Sequence, residues 1–457
     1  MTPEIGAGGE KQVARKYFGT DGVRGRVGTH PMTVDFALRL ASAAARVLVP
    51  EGGGSVLIGK DTRVSGYLFE SALEAGFVAA GVDVKLIGPL PTPGIAFMTQ
   101  HFGCNFVVVI SASHNALDDN GIKFFDGAGG KLSDDIEEAI EALIEEPPVT
   151  LESIALGRAS RVERAVDDYG AFCRSTLPRG MNLEGFKVVV DCANGAGYKV
   201  APRVLADLGA EMIPIGCSPN GRNINSGCGS TDPDLLQLTV AGTRAHVGIA
   251  LDGDGDRLVM VDHLGRLVDG DQLLYVLARA RQDDGTLRGP VVGTLMSNFG
   301  LEKALGTLGI PFRRANVGDR YVLGLLREEG GILGGETSGH LLCLDRTTTG
   351  DGLVSALQVL AVMKHTGRSL AQLVSGMEKY PQVLINVRTA KRVDLKAEAG
   401  VQRVQAEVEA RLAGAGRVVL RASGTEPVIR VMVEASDADT ARAEAEALAV
   451  AVRAAAA

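Results

Sequence analysis

"SVLIGKDTRVSGYLFESALEAGFVAAGVDVKLIG", residues 55–88, reads as strand, polar loop, helix and second strand. The run from Ser55 to Lys60 is short and apolar, which suits a buried strand. "LFESALEAGFVAAG" has the length of a helix and closes on glycine, and "VDVKLIG" turns apolar again. Strand, helix and strand in this order make a βαβ unit with parallel strands. Two further segments repeat the plan. "FKVVVDCANGAG" leads through "KVAPRVLADLG" to "AEMIPIG", and "GPVVGTLMSNFG" leads through "LEKALGTLG" to "IPFRRANVG". Starts at 55, 186 and 289 are too far apart for a solenoid. They predict an α/β protein of three related α/β domains with mainly parallel mixed sheets.

From about Tyr380 the order changes to a strand, the amphipathic helix "LKAEAGVQRVQAEVEARL", two strands and an Ala-rich helix. That order predicts a smaller C-terminal α+β domain. The expected divisions are 1–160, 161–268, 269–379 and 380–457. Residues Ala443 to Ala457 read as helix and frayed tail.

The totals agree with several domains, because 457 residues exceed what one hydrophobic core holds. Hydrophobic content of 46% with 22% charged residues is that of a soluble protein. No apolar run approaches the ~18 residues of a membrane span, and the first residues lack the apolar region of a secretory signal. Six cysteines, at 104, 173, 192, 217, 228 and 343, form neither CxxC nor zinc spacing. Reduced thiols in a cytoplasm are expected. A net charge of -8 argues against a general nucleic-acid binder but leaves room for a local cationic pocket.

Four loops carry candidate chemistry. In "VVVISASHNALDDNGIKFF", residues 107–125, a strand over Phe106 to Ile110 stops at Ser-Ala-Ser-His-Asn, and Asn120-Gly121 predicts a turn. Ser113 lacks the Gly-x-Ser-x-Gly elbow of a hydrolase. It is either a hydroxyl that neighbours activate or a helix N-cap. In "VGIALDGDGDRLVMV", residues 247–261, Asp252, Asp254 and Asp256 alternate with glycines after a strand. Close carboxylates repel unless a cation joins them. An EF-hand is excluded, since Arg257 and His263 stand where that loop needs Gly and Glu. Few protein ligands leave places for a phosphate oxygen, which favours Mg2+, with Arg257 beside it.

"LGGETSGHLL", residues 333–342, gathers Glu336, Ser338 and His340. Such groups suit sugar hydroxyls, which donate and accept, or form a polar hairpin turn. "RASGTEPVIRVMV", residues 421–433, brackets Ser423, Gly424 and Thr425 with Arg421 and Arg430. Oriented amides with arginines make a phosphate cradle. "GSVLIGKD", residues 54–61, imitates a Walker loop but has Asp61 where the metal needs Ser or Thr.

A serine, a metal loop, a hydroxyl-reading loop and a phosphate cradle define a phosphosugar site. "SASHN", "DNGIKFF", "DGDGDR", "GETSGH" and "RASGTEPVIR" occur in the order and spacing of the α-D-phosphohexomutases, which the whole chain resembles. The resemblance implies four domains around a central cleft, a phosphorylated Ser113, and Mg2+ on Asp252, Asp254 and Asp256 with Ser113. It further implies that Glu336 and Ser338 read the sugar while Arg421, Ser423, Gly424, Thr425 and Arg430 hold the phosphate that is not reacting. Lys123 and His340 are the acid–base candidates, with Arg24 and Arg257 stabilising charge. Lys123 could equally close a surface hairpin. "RKYFGTDGVRG", residues 15–25, resembles the branch acting on glucosamine phosphates. Branches acting on mannose or glucose phosphates are the alternative, and a silent sugar-phosphate binder is the alternative of another class.

The partners implied are a phosphosugar substrate and a sugar 1,6-bisphosphate activator, with no nucleic acid and no membrane. A homodimer is compatible with the resemblance. Ala116 departs from the family's proline after His-Asn, which predicts a looser serine loop. Thr337 stands where Gln is frequent.

Overall fold

The computed structural model describes residues 16–19, 21–389, 395, 397–422 and 428–456. The first segment contains β1 (Val23–Arg26), α1 (Val34–Leu48), β2 (Ser55–Lys60), α2 (Val64–Ala79), β3 (Asp83–Pro89), α3 (Thr92–Phe102), β4 (Phe106–Ile110), β5 (Asp119–Asp126), α4 (Asp134–Ile144) and β6 (Ala159–Arg161). Its six strands lie in the order β1-β5-β4-β2-β3-β6. The unit quoted first is β2, α2 and β3, with the strands parallel from Ser55 opposite Asp83. β4 is buried along its whole length, as an unbroken Phe-Val-Val-Val-Ile run requires.

The second segment has α5 (Ala165–Ser175), β7 (Lys187–Asp191), α6 (Val200–Asp207), β8 (Glu211–Ile215), α7 (Asp234–Thr243), β9 (Val247–Leu251), β10 (Leu258–Asp262) and β11 (Leu267–Val268). Their order is β11-β10-β9-β7-β8. The third has α8 (Gly270–Asp283), β12 (Val291–Thr294), α9 (Phe299–Thr307), β13 (Phe312–Ala315), α10 (Asp319–Glu329), β14 (Leu333–Gly335), β15 (Leu341–Cys343), α11 (Gly352–Thr366) and α12 (Leu370–Val374). Its sheet runs β13-β12-β14-β15. Both repeat units are parallel as expected, β7 with β8 and β12 with β13. Each sheet also carries antiparallel pairs at one side, β9 with β10 and β14 with β15.

The last segment is β16 (Gln382–Arg388), α13 (Ala399–Leu412), β17 (Gly416–Ala422), β18 (Val428–Ala435) and α14 (Ala438–Ala456). An antiparallel sheet β16-β18-β17 backs the two helices, the α+β order read from the sequence. Arg417 ties it to the third segment by donating to the carbonyls of Leu295 and Ser297 at 2.8 and 2.6 Å.

Two expectations change. Asn120 and Gly121 do not turn; they lie inside β5, opposite Gly25 and Arg24 of β1. The Asn120 side chain accepts from Gly121 N at 2.8 Å and donates to Ser65 Oγ at 2.9 Å, so strand neighbours on both sides override the local turn preference. α14 is packed instead of frayed, with Ala445, Leu448, Ala449 and Val452 buried. β6 pairs with β3 in parallel and closes the first sheet at Arg161.

Candidate active site

Ser113 lies just beyond β4, and no helix follows it, so the N-cap reading fails. Its φ of 49° is in the left-handed region, which costs an L residue energy and needs support from its surroundings. That support is Arg63, fully buried at the start of α2. Its guanidinium donates to the carbonyls of Ser113 (3.1 Å), Asn115 (2.8 Å) and Ala116 (2.5 Å). Asp61 accepts from Arg63 Nε at 2.9 Å and from Ser111 Oγ at 2.6 Å, and Ser111 Oγ accepts from Ser113 N at 2.9 Å. Asn225, from the second segment, donates to the Ser113 and Asn115 carbonyls at 2.9 and 3.0 Å. The loop with Ala116 in place of proline is thus held by a buried arginine.

The metal loop meets this serine directly. Ser113 Oγ donates to Asp252 Oδ2 at 2.6 Å. A Cβ on Gly253 would stand 2.6 Å from the Ser113 carbonyl oxygen, so only glycine lets the two loops approach this closely. Ligand atoms of Asp252, Asp254 and Asp256 all lie within 4.8 Å of one another. α3 holds the loop from the other side, as Thr92 Oγ1 donates to Asp254 Oδ2 at 2.9 Å.

Lys123 is not on the surface. It is 2% exposed, with Nζ 2.9 Å from Asp254 and 3.0 Å from Asp21. Burial works against its charge, but Asp21 and Asp254 outweigh it and push the ammonium's pKa up. Burial also pushes the Asp254 carboxyl up, and Lys123 overturns this and holds it below the usual range. Asp252 has no such cation in contact; burial, then the charges of Asp256 and Asp254, push it well up.

The third segment joins through a bridge between Arg257 and His340. His340 Nδ1 is 3.6 Å from Asp256, and its Nε2 is 3.7 Å from Asp319. Burial disfavours its charge, but the bond to Asp256 and the charges of Asp256, Asp319 and Glu336 raise it to about 9. His114, by contrast, is lowered to about 4 by burial and by Arg257 and Arg24. It stays neutral, 3.4 Å from Ser113 Oγ. Lys131 bridges Asp21 and Asp319 at 2.8 Å each. Arg24 pairs with Asp21.

Glu336 accepts from Gly318 N at 2.9 Å. Thr337 Oγ1 donates to Asp271 Oδ2 at 2.7 Å, so the departure from Gln fastens the loop to α8. Ser338 is exposed. A Cβ on Gly270 would come within 2.0 Å of the Glu336 carbonyl oxygen. Gly270→Ala is therefore expected to push the Glu336 loop off α8, lowering stability by about 1–3 kcal/mol and raising KM. Thermal melting and steady-state kinetics check it.

The structure thus brings together Ser113, the three aspartates, Lys123, Arg257 and His340, with Arg24 and Glu336 at their side. Arg421 and Arg430 face each other across β17 and β18, and burial and Arg430 lower the Arg421 pKa. Ser423, Gly424 and Thr425 lie outside the described residues.

The sequence models for all four domains of "Phosphoglucomutase/phosphomannomutase" match: the alpha/beta/alpha domains I, II and III at residues 15–148, 173–265 and 269–380, and the C-terminal domain at 384–451. A phosphoglucosamine mutase of Pasteurella multocida is 58% identical over 440 residues, 96% of this chain and 99% of that protein. The chain belongs to the α-D-phosphohexomutase family. Another phosphoglucosamine mutase, from Aeromonas salmonicida, is 58% identical over 92% of this chain and 95% of its own. The solved structure of a putative phosphomannomutase from Thermus thermophilus has a TM-score of 0.77 at 26% identity, covering 95% of this chain and 98% of that one.

In this phosphohexomutase the donor set fits a hard cation. Asp254 Oδ1 and Asp256 Oδ1 are buried without a hydrogen-bond partner, as are Arg24 Nε, Arg257 Nε and His340 Nε2. Buried polar atoms left open in one place mark where ligand atoms enter. Sequence reading misses Asp21, Asp61, Arg63, Thr92, Asn225, Lys131 and Asp319 as site residues. Asp61 and Arg63 stand in plain view, at the end of the stretch that imitates a Walker motif and two residues beyond it. Their signal is charged residues directly after a buried strand, a position that demands partners.

Proposed function

We propose that the protein interconverts glucosamine 6-phosphate and glucosamine 1-phosphate, with Ser113 as the phosphoryl carrier and glucosamine 1,6-bisphosphate between them. The observation that carries this is Ser113 Oγ at 2.6 Å from Asp252, inside a cluster of paired charges. Relatives 58% identical over nearly their whole length are phosphoglucosamine mutases.

Phosphoryl transfer needs positioning and charge neutralisation more than covalent help. The bond from Ser113 Oγ to phosphorus breaks as one forms to O1 of the 6-phosphate, and the proton lost by the O1 hydroxyl is balanced by the one gained at Ser113 Oγ. After the bisphosphate turns, the phosphorus–O6 bond breaks, the group returns to Ser113, and the proton lost by the serine hydroxyl is balanced by the one gained at O6. Arg24 and Arg257, each with an open Nε, donate to phosphoryl oxygens. His340, an imidazolium at neutral pH, is a proton donor to the departing oxygen. Lys123, kept charged between two carboxylates, neutralises charge as it builds and can donate in its turn. Asp252, Asp254 and Asp256 with Ser113 hold a divalent cation, for which we favour Mg2+; bound there it withdraws charge from the phosphoryl group.

Glu336 and Ser338 read the sugar hydroxyls, and Arg421, Arg430 and the segment Ser423, Gly424 and Thr425 hold the other phosphate. A sugar 1,6-bisphosphate primes the serine. We divide the domains at 160, 268 and 379. Free cysteines suit a reducing cytoplasm, and no described helix is long and apolar enough to cross a membrane.

Glu336→Gln is expected to lower kcat/KM about 10–100-fold, the worth of one hydrogen bond to a charged group, mainly through KM and without a change in melting temperature. The test of the substrate is competition. Equal amounts of glucosamine, glucose and mannose 6-phosphates, with Mg2+ and a trace of glucose 1,6-bisphosphate, are followed by phosphorus NMR. Glucosamine 1-phosphate is expected first and fastest. A lead by glucose or mannose 1-phosphate would correct the sugar, and no 1-phosphate at all would leave only a binder.

A further inference from the structure

A cavity of about 670 Å³ lies between the second and third segments, lined in part by Phe186, Arg244, His246, His263, Lys364 and Arg368. It is far from the serine loop. Phe186 and His246 precede β7 and β9, whose other ends lead to Asp191 and Asp252. Five residues of strand separate the two ends by ~17 Å. α11 makes the same journey over ~18 Å, from Gly352, bonded to Gly255 O at 3.0 Å, to Lys364 at the cavity.

The lining holds three permanent cations and two imidazoles, and no carboxylate. Lys364 Nζ donates to Glu184 O at 2.7 Å and Arg368 Nη2 to Gln372 O at 2.5 Å. These carbonyls hold the side chains in place without neutralising them. No ion pair of Arg244, Lys364 or Arg368 is found among the described residues. In a chain of net charge -8, three cations without a counter-ion give this place a local positive field that attracts an anion. The volume exceeds what a lone phosphate fills and lies in the range of organic-ligand pockets. Phe186 and His246, 5.9 Å apart and inclined by 61°, form an edge-to-face pair on the wall with Lys364 Nζ 5.8 Å from the Phe186 ring centroid, which supplies aromatic surface for a flat heterocycle beside a cation. The lining side chains offer few acceptors, since His246 Nδ1 already accepts from Lys187 N at 2.8 Å and Ser369 Oγ from Gln372 N at 3.4 Å, which does not suit a sugar's hydroxyls.

The geometry points to a second ligand site, for a nucleotide whose phosphates meet Arg244, Lys364 and Arg368 and whose base packs on Phe186 and His246. Binding of ADP, UDP and inorganic pyrophosphate to the full chain is measured by calorimetry, alongside the variant Arg244→Glu/Lys364→Glu. Both positions are exposed, and unchanged melting verifies the variant; Arg244→Glu alone replaces it if the pair does not fold. At least one nucleotide is expected to bind the native chain at least tenfold tighter than pyrophosphate, and to lose at least tenfold in the variant. Absence of nucleotide binding overturns the proposal. Equal binding by the variant overturns it too, by placing the ligand in the phosphosugar cleft. Pyrophosphate binding as tightly as either nucleotide overturns the role given to the rings.

Discussion

Ser113→Ala is expected to lower turnover by about 10,000-fold or more, ~5.5 kcal/mol of barrier, while glucosamine 6-phosphate still binds. The hydroxyl is the one atom that accepts and returns the phosphoryl group, so no neighbour replaces it at short range. His114, lowered to about 4, is uncharged and adjacent, but it is not the group in contact with Asp252. The binding residues come from other loops and are untouched by the change. Stability should fall modestly, by about 1–3 kcal/mol, because the buried Asp252 carboxyl loses its hydroxyl donor, while alanine adopts the φ of 49° at much the same cost as serine. Steady-state kinetics beside calorimetric binding of the 6-phosphate make the check. Turnover within tenfold of the native rate would mean that another group carries the phosphoryl.

The second large effect is on stability. Arg63→Met is expected to cost about 3–5 kcal/mol, the range for stripping one partner from a buried ion pair. Three carbonyls of the serine loop lose their donor. Asp61, which burial already pushes up against the pull of Arg63, loses its nearest cation. Methionine fills much of the volume but donates nothing, and a buried acceptor left unmade is costly. Activity should fall with it, because Ser113 no longer has its left-handed turn imposed. Thermal melting with and without substrate reads both effects. A variant melting with the native protein would show that Asn225 alone fixes the loop.

Strand–helix alternation was legible because buried parallel strands are uniformly apolar, as in β4, and because each repeat closes on glycine before its second strand. The chemistry-bearing loops were legible where function breaks a local rule: three carboxylates in five residues, or a serine and histidine ending a buried strand. Asn120-Gly121 misled because the same dipeptide that favours a turn tolerates a central strand once Ser65 and Ser111 supply its hydrogen bonds. Arg63, Asn225 and Asp319 were hidden for another reason. Their partners stand 50, 112 and 188 residues away along the chain, and no local pattern reports a contact at that separation. The same distance hid the fate of Lys123, whose burial depends on Asp21 and Asp254 closing over it.

The account's central claim is that the phosphoryl group passes through Ser113. The native protein is charged with glucose 1,6-bisphosphate carrying radioactive phosphorus, freed of small molecules, and digested for peptide mapping; a second portion is chased with unlabelled glucosamine 6-phosphate. The label is expected on the peptide containing Ser113, to leave it completely on the chase, and to appear in glucosamine phosphates. Label on any other residue, or label on Ser113 that the chase does not remove, would contradict the account.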